Sequence, residues 1–205
     1  SDILIFSVQP RQFEKILTEI KNYLTEKHVI ISTITGFHVE RIESILGDGF
    51  PIIRSMPNTA ISVRKSMTCL CCNKVGEKRI DIATAIFNGL GNTIQISEKD
   101  MQAATVICAS GIAFWMRIIR AMTQGGVQLG FEAKEAMRMS MHTALGASTL
   151  LIENSSHPEE EIDKVTTPNG CTIAGLNEME HNGLSSSLIQ GLMVSFDKIN
   201  EISKE

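Results

Sequence analysis

The first half of the chain alternates between short apolar runs and segments with helical spacing. The apolar runs predict five strands, at residues 3–8, 29–32, 51–54, 67–71 and 93–96. The first run is continuously apolar, as in a strand that is buried on both faces. Between the runs, apolar residues recur with the period of an amphipathic helix and predict helices at 13–24, 39–46 and 77–90. Strands that alternate with helices are typical of an α/β fold with a parallel-type sheet.

The pattern changes at Ser97. The segment Ser97-Glu98-Lys99-Asp100 predicts a helix N-terminus with the Ser97 hydroxyl as its cap. Residues 99–153 are then rich in Ala, Met, Ile and Leu at helical spacing, and we expect Gly125-Gly126 and Gly130 to interrupt them before a helix that rises from Glu132. A loop at 166–170 precedes helices at about 172–181 and 184–203. We therefore predict a partial dinucleotide-binding α/β domain at 1–97 and an all-helical domain at 98–205.

Composition and charge narrow the class of protein. The 205 residues are 43% hydrophobic and 20% charged, which is typical of a globular chain. A net charge of −4 provides no sequence-wide positive field for nucleic acid or an anionic membrane. The chain has no continuous apolar run of membrane-helix length, and its first residues lack the order of a signal peptide. We expect a cytoplasmic protein that binds neither nucleic acid nor membrane.

Cysteine, histidine and methionine give little sign of a metal site. Five cysteines are an odd number, and the cluster Cys69, Cys71 and Cys72 is more typical of small buried residues on a strand than of zinc ligands. The histidines lack metal-ligand spacing, and His142 is expected in the core. The methionines at 116, 122, 137, 139 and 141 are expected to fill a core or an interface. We predict no bound metal.

A set of ordered motifs resembles one enzyme family. After the first strand comes Ser7-Val8-Gln9-Pro10; later come Pro57-Asn58-Thr59, Ala109-Ser110-Gly111-Ile112-Ala113-Phe114, the glycines of 125–130, His157-Pro158, and Thr166-Thr167-Pro168-Asn169-Gly170-Cys171-Thr172-Ile173-Ala174-Gly175-Leu176. Their order and spacing are similar to those of the pyrroline-5-carboxylate reductases. The last motif resembles the family signature Ser/Thr-Pro-Gly-Gly-Thr/Ala-Thr-Ile.

The resemblance implies a fold, a reaction and partners. It implies a Rossmann-like domain that binds NADPH or NADH and a helical domain that interlocks with a second copy in a homodimer, which in this family often assembles into a ring of dimers. The implied reaction is the reduction of 1-pyrroline-5-carboxylate to L-proline, the last step of proline biosynthesis. A loop of small polar residues before a helix suits the substrate carboxylate, because free N–H groups at a helix N-terminus bind anions.

The same resemblance implies roles for particular residues. The substrate would lie against Thr167, Asn169, Gly170, Cys171 and Thr172, with the Thr172 hydroxyl near the reacting ring nitrogen as the catalytic group. The nicotinamide side of the cofactor would contact Val8, Gln9, Pro10, Thr33, Thr35 and Asn58. Several positions depart from the family pattern. Among them, Gln9 stands where Lys is usual, and Asn169 replaces the first signature Gly. The second change is mild if the position has a positive φ, which Asn tolerates.

One element of a dinucleotide-binding sheet is missing from the sequence. A strand followed by Gly-x-Gly-x-x-Gly and a helix is expected, but the nearest match, Gly89-Leu90-Gly91, follows a helix and precedes a strand. We therefore interpret the chain as a family member without its first elements, and we leave open a non-catalytic homologue that serves as a helical dimerisation or ligand-binding module. A related oxidoreductase with the same two-domain plan is a third hypothesis. The apolar stripe formed by Ile112, Trp115, Met116, Ile119 and Met122 predicts a dimer in each case.

Overall fold

The α/β part is a five-stranded sheet whose strands lie in sequence order. Our computed structural model describes residues 1–202 of the chain. The strands are β1 (Ile3–Phe6), β2 (Val29–Ser32), β3 (Ile52–Met56), β4 (Ser66–Cys72) and β5 (Gly91–Gln95). The helices of this part are α1 (Pro10–Ile20), α2 (Val39–Leu46) and α3 (Ile80–Asn88). All five predicted strands and all three predicted helices are present, with small shifts of their ends.

The sheet is mixed, whereas the alternation of strands and helices predicted a parallel type. β1 pairs with β2, β2 with β3, and β4 with β5 in parallel. The β3–β4 pair is antiparallel, with Ile53 opposite Cys72 and Met56 opposite Cys69. The chain between these strands contains only a short 3₁₀ turn, Thr59–Val63, and a parallel crossover needs a longer connection. The chain therefore turns back and pairs with β3 directly.

Helices cover both faces of the sheet. Ile30 and Ile52 point to one face, where they pack with Phe13 and Leu17 of α1 and with residues of α2. The alternate strand positions, among them Ile31 and Ile53, pack against α3 on the other face. Each fully buried side chain of this kind contributes roughly 1.5 to 3 kcal/mol through burial, so the two faces hold the α/β part together.

β1 is less buried than its apolar sequence predicted. In the described chain it lies at the edge of the sheet, and Ile5 is 49% exposed. The expectation of burial on both faces is therefore wrong for β1. In the neighbouring β2, by contrast, every residue is buried. An apolar run predicts a strand, but the elements that pack against that strand determine how much of its surface is buried.

The second half of the described chain is helical, as predicted. It contains α4 (Met101–Ala104), a π-helical turn at Thr105–Ser110, α5 (Gly111–Gln128), α6 (Ala133–Asn154), α7 (Pro158–Val165), α8 (Cys171–His181) and α9 (Leu184–Ile202). The predicted end of the last helix, residue 203, lies outside the described residues.

One predicted helix interruption and one predicted capping hydrogen bond are absent from the described residues. Gly125 and Gly126 do not interrupt the helix, which continues to Gln128. A Cβ at Gly126 would lie 2.9 Å from the Cβ of Ala136, so this glycine permits α5 and α6 to pack closely. The interruption comes at Gly130, whose φ is 102°. Ser97 is the N-cap residue of the 3₁₀ turn Glu98–Asp100, as predicted, but its hydroxyl makes no capping hydrogen bond.

The described chain divides into two compact units. Ser1–Ile112 together with residues 192–202 forms the first, and Ala113–Gly191 forms the second. The predicted domain boundary at residue 97 lies within the first unit, and the functional division at that point stays a prediction.

The second unit exposes a large amount of apolar surface. Trp115 is 61% exposed, and the methionines at 116, 122, 137, 139 and 141 are all exposed. Those methionines therefore do not fill a core within this chain, and the expected core position of His142 is wrong because that residue is exposed too. Contiguous exposed apolar surface marks an interaction site more often than a free surface.

Among the described residues, one helical stretch has the length and composition of a membrane span. It runs from Glu98 to Gln128, and only a small part of its most apolar portion is buried. The expectation of no membrane-length segment rested on continuous apolar runs, and it overlooked this stretch because polar residues interrupt it. Length and composition alone are weak evidence for a span.

Candidate functional site

A turn of small polar residues before α8 borders a cavity of about 750 Å³. We call it the loop cavity; it is lined by Thr166, Thr167, Pro168, Asn169, Gly170, Ile173, Ala174 and Asn177. The α8 residues in this lining follow the spacing of one helix face. The loop cavity is thus formed by the turn on one side and by a single face of α8 on the other.

The turn at 167–170 has a defined local geometry. The Gly170 N–H donates to the Thr167 carbonyl over 2.9 Å, Pro168 holds the second position, and Asn169 has a φ of 58°. A proline followed by a positive φ is the pattern of a type II turn. Asn169 therefore occupies the conformation in which glycine is the most tolerated residue and Asn the next, as the sequence comparison with the family pattern implied.

Gly170 is required by its surroundings rather than by its φ. A Cβ at this position would lie 2.5 Å from Oγ1 of Thr167 and 3.0 Å from the Thr167 carbonyl oxygen. Gly170 is also the N-cap of α8, and no side chain caps the helix there. The first N–H groups of α8 therefore have no partner within the helix and are free to bind an anion.

The structure brings together only part of the predicted substrate site. Thr167, Asn169 and Gly170 line the loop cavity, whereas Cys171 and Thr172 do not. Both lie on the first turn of α8 with exposed side chains. Their predicted contact with substrate, and the catalytic role of Thr172, stay predictions. Ile173, Ala174 and Asn177 were missed as lining residues, although their spacing from Gly170 could have indicated the shared face.

A second cavity lies where β1 and β2 end. This strand-end cavity, of about 490 Å³, is lined by Ser7, Val8, Gln9, Pro10, Gln12, Thr33, Ile34 and Thr35. The two strands are parallel, so their carboxyl ends meet at one edge of the sheet, which is where α/β proteins bind nucleotides. Five of the six predicted cofactor residues line this cavity.

Hydrogen bonds from Thr33 to Phe6 hold the two walls of the strand-end cavity together. The Thr33 hydroxyl donates to the Phe6 carbonyl over 3.1 Å, and the Thr33 N–H donates to the same oxygen over 3.0 Å. Pro10 is the first residue of α1, and the Gln9 N–H donates weakly to Gln12. Thr35 points toward β3, where its hydroxyl lies 3.8 Å from the Met56 sulfur.

Asn58, the sixth predicted cofactor residue, follows β3 and has a structural part in its own loop. Its side-chain oxygen accepts from the Ala60 N–H over 3.0 Å, and its Nδ2 donates to the Cys108 carbonyl over 3.0 Å. Asn58 is not among the residues that line the strand-end cavity. Its contact with a cofactor therefore stays a prediction.

A charged cluster that the sequence pattern did not predict joins β3, β4 and the start of α2. Arg54 of β3 is 2% exposed, and its Nη1 donates to Oε1 of Glu98 over 2.7 Å. The Cys71 thiol donates to Oε2 of Glu98 over 2.7 Å, and the Val39 N–H at the start of α2 donates to Oε1 over 3.1 Å. The sequence feature that could have indicated this cluster is Arg54, because a cation within an apolar strand needs an anionic partner.

The cluster controls the charge of Glu98. Burial raises the pKa of the Glu98 carboxyl, but Arg54 and the hydrogen bonds from Cys71 and Val39 outweigh it and hold that pKa below its ordinary value. Burial, together with the hydrogen bond to Glu98, raises the pKa of the Cys71 thiol. Glu98 is thus an anion at neutral pH that fixes the start of α2, which follows the segment carrying Thr33 and Thr35.

The fold defines the chain as a Rossmann-like α/β protein with an all-helical C-terminal region. Solved structures share this architecture. A pyrroline-5-carboxylate reductase from Coxiella burnetii has a TM-score of 0.93 and 29% identity, covering 100% of this chain and 77% of that one. A pyrroline carboxylate reductase from Plasmodium falciparum, solved with NADP bound, has a TM-score of 0.90 and 26% identity, covering 98% of this chain and 77% of that one.

Sequence comparisons identify the family. Residues 98–202 match the family model described as pyrroline-5-carboxylate reductase dimerisation. Pyrroline-5-carboxylate reductase 2 of Dictyostelium discoideum is 44% identical over 212 residues, which cover 96% of this chain and 71% of that protein. Pyrroline-5-carboxylate reductase 1 of the same organism is 49% identical over 208 residues, which cover 96% of this chain and 38% of that protein. The chain belongs to the pyrroline-5-carboxylate reductase family, as its motifs predicted, and it spans well under half the length of the second of these relatives.

Proposed function

We propose that this chain takes part in the NAD(P)H-dependent reduction of 1-pyrroline-5-carboxylate to L-proline. The observation that carries the proposal is the loop cavity, whose polar turn and open helix start suit a small anionic substrate in a chain of this family. Relatives that cover most of the chain, including those from Dictyostelium discoideum, have this activity in their names. The reaction places the chain at the last step of proline biosynthesis.

The loop cavity supplies binding groups of the kind that the substrate needs. We assign the substrate carboxylate to the free N–H groups at the start of α8, because the helix N-terminus carries partial positive charge. Thr167, Asn169 and Gly170 form the adjoining turn. We assign the Thr172 hydroxyl, with Cys171 beside it, to the ring nitrogen that is protonated when the imine carbon accepts hydride.

The strand-end cavity fits the nicotinamide half of a cofactor. It lies at the carboxyl ends of parallel strands and presents Val8, Gln9, Pro10, Thr33 and Thr35, and we place Asn58 beside them. A nicotinamide cofactor, NADPH or NADH, supplies the hydride when bound. Residues 1–202 contain no strand followed by a Gly-x-Gly-x-x-Gly turn, so they offer no cradle of that type for the pyrophosphate. The neutral Gln9 adds no charge to the cavity.

We further propose a homodimer built on the helical domain. Residues 98–202 match a dimerisation family, and the second unit exposes Trp115, Met122 and Leu145 within that range. Arg117 and Arg120 are exposed on the apolar stretch Glu98–Gln128, and charges of this kind are costly in a bilayer, so a second copy is a better cover than lipid. A ring of dimers is proposed on the resemblance alone. In this proposal, residues 1–97 bind the cofactor, and residues 98–205 form the dimer and bind the substrate.

We propose a cytoplasmic location, in keeping with a nicotinamide-dependent reductase. All five cysteines are free thiols, as in proteins from reducing compartments.

The test of the proposed function is turnover by the purified chain. Protein whose intact mass matches the printed sequence is incubated with 1-pyrroline-5-carboxylate and either NADPH or NADH, and both the loss of reduced nicotinamide and the formation of proline are measured. We expect proline in an amount equal to the nicotinamide oxidised. Proline binding without any turnover would favour the non-catalytic ligand-binding module. Neither binding nor turnover would reject both the reductase and the ligand-binding module, and would leave the dimerisation module.

A further inference from the structure

Two cysteine thiols from different elements lie side by side beneath the Asn58 loop. Sγ of Cys69, on β4, is 3.7 Å from Sγ of Cys108, in the π-helical turn Thr105–Ser110. Cys69 is 2% exposed, and Cys108 is half-buried. Met56, Cys71 and Met101 surround them. The proposed reduction of an imine uses neither thiol, so their proximity needs another explanation.

The two thiols are chemically unequal. The hydrogen bond from Cys69 lowers the pKa of the Cys108 thiol to about 7, against the opposing effect of burial. The same hydrogen bond, reinforced by burial, raises the pKa of Cys69. The thiolate is the reactive form of cysteine, and the lowered pKa favours the thiolate on Cys108, the less buried member of the pair. Cys108 is therefore suited to react first with an oxidant, and Cys69 lies close enough to attack the oxidised Cys108 sulfur.

We propose that Cys69 and Cys108 form a peroxide-sensitive dithiol that closes reversibly to a disulfide. The Cys108 thiolate attacks a hydroperoxide, the O–O bond breaks, and sulfenic acid and hydroxide result. The Cys69 sulfur, losing its proton, then attacks the Cys108 sulfur, the S–O bond breaks, and water leaves. With hydrogen peroxide, two thiols and one peroxide give one disulfide and two waters, so the two electrons lost by sulfur reduce the peroxide. Closure requires the sulfur atoms to approach from 3.7 Å to about 2.05 Å.

The other cysteines are less suited to this chemistry. The Cys71 thiol donates to the Glu98 carboxylate, and burial raises its pKa. Burial also raises the pKa of Cys72. Cys171 lies in the second unit and is exposed. A disulfide that forms only under oxidant stress agrees with a reducing compartment, where protein disulfides are mostly transient.

Formation of the disulfide would affect the loop of Asn58, which is a proposed cofactor contact. The carbonyl of Cys108 accepts the hydrogen bond from Asn58, so a shift of the π-helical turn toward β4 changes the support of that loop. Single-turn π-helices occur often at functional sites, where the extra residue permits such shifts. We expect oxidation to lower reductase activity, an expectation that rests on the proposed function.

The disulfide itself is tested by mass, without reference to activity. The folded chain is treated with hydrogen peroxide, free thiols are alkylated, and the protein is digested with trypsin. Before alkylation, we expect the intact mass to decrease by about 2 Da for the two hydrogens lost. We also expect a reducible linkage between the peptides of residues 66–74 and 100–117, assigned to Cys69 and Cys108 by fragmentation. A linkage through Cys71 or Cys72, or only between chains through Cys171, would overturn the proposal.

Matched variants separate the pair from its neighbours. Cys108→Ser removes the attacking sulfur and should abolish the linkage, and Cys69→Ala should leave a sulfenic acid on Cys108 that a dimedone probe labels. Cys72→Ser, a change on the same strand and in the same peptide, should retain the linkage. If Cys69→Ala fails to fold, as judged by circular dichroism, Cys108→Ser against Cys72→Ser still decides the matter.

The effect on function is read separately. We expect activity to fall in proportion to the linked fraction, to return with a reductant, and to resist peroxide in Cys108→Ser. A complete linkage with unchanged activity would reject the coupling to Asn58. An inactive reduced protein would count against the proposed function, while the mass measurement would still decide whether the disulfide forms.

Discussion

Arg54 Nη1 lies 2.7 Å from Glu98 Oε1, and this ion pair joins the middle of β3 to the turn that follows β5. Arg54 is almost completely buried, and its Nε has no hydrogen-bond partner among the described residues, whereas Glu98 retains some contact with solvent. The pair is asymmetric for that reason. The buried Arg54 guanidinium needs the Glu98 carboxylate to balance its charge, whereas the Glu98 carboxylate is also hydrated. Glu98 also accepts the Val39 N–H, so it connects the sheet to the start of α2.

Removal of the Glu98 carboxylate should destabilise the fold. Glu98→Ala leaves Arg54 buried without its partner, and the expected loss in the free energy of unfolding is about 3 kcal/mol. Urea unfolding monitored by circular dichroism measures it. Glu14→Ala, which breaks an exposed pair with Arg41, is the matched control and should cost less than about 1 kcal/mol. Equal losses in the two variants would contradict the importance of the buried pair.

The stability of the protein should fall in acid partly through Glu98. Because its pKa is lower in the folded state than in the unfolded state, its contribution is present above the unfolded pKa and is lost as the pH falls through the folded pKa. The unfolding free energy of the parent protein should therefore decrease more steeply between about pH 5 and pH 3 than that of Glu98→Gln, which cannot titrate there. Parallel curves would show that Glu98 does not contribute.

Thr172 provides the test of the proposed catalytic group. Thr172→Ala should reduce kcat/KM by an amount equal to about 1 to 3 kcal/mol of transition-state stabilisation. The reason is that alanine has no hydroxyl to bond the ring nitrogen. Thr172→Ser, which keeps the hydroxyl, should restore most of it. Thr149→Ala, at an exposed helical threonine whose hydroxyl bonds only to Leu145 of its own helix, is the control. A folded Thr172→Ala with normal turnover would remove Thr172 from the mechanism.

Gly170 should be intolerant of even one methyl group. In Gly170→Ala the new Cβ would meet the Thr167 hydroxyl at 2.5 Å, so the turn must move and KM for the substrate should rise. Gly175→Ala, on the same helix and with nothing within 4 Å of the added Cβ, should leave KM unchanged. The alanine there should also stabilise the helix by up to about 1 kcal/mol. If the KM values of the two variants were the same, the loop cavity would not be the substrate site.

The proposed dimer should depend on the apolar surface of the second unit. Trp115→Glu places a charge within that surface, so light scattering over a dilution series should show dissociation at higher protein concentration than for the parent chain. Tyr23→Glu changes another exposed aromatic residue, outside the range that matches the dimerisation family, and should have no effect. A parent chain that is a folded monomer at all concentrations would reject the homodimer.

Local patterns were sufficient for much of this protein. Apolar runs and helical spacing located all five strands and most helices, because both depend on neighbouring positions in the chain. The turn at Asn169 was also predictable, since a proline followed by a residue that tolerates positive φ defines a turn locally. The ordered motifs, the last of which ends at Leu176, were enough to identify the family.

Relations between distant positions required the tertiary structure. The antiparallel β3–β4 pair, the exposure of Ile5 and the closeness of Gly126 to Ala136 each depend on which elements become neighbours. The contacts of Glu98 with Arg54 and of Cys69 with Cys108 join residues 44 and 39 positions apart. No local pattern encodes such a contact, because side-chain chemistry determines that a buried charge or thiol needs a partner, and only the packing of the fold determines which residue that partner is.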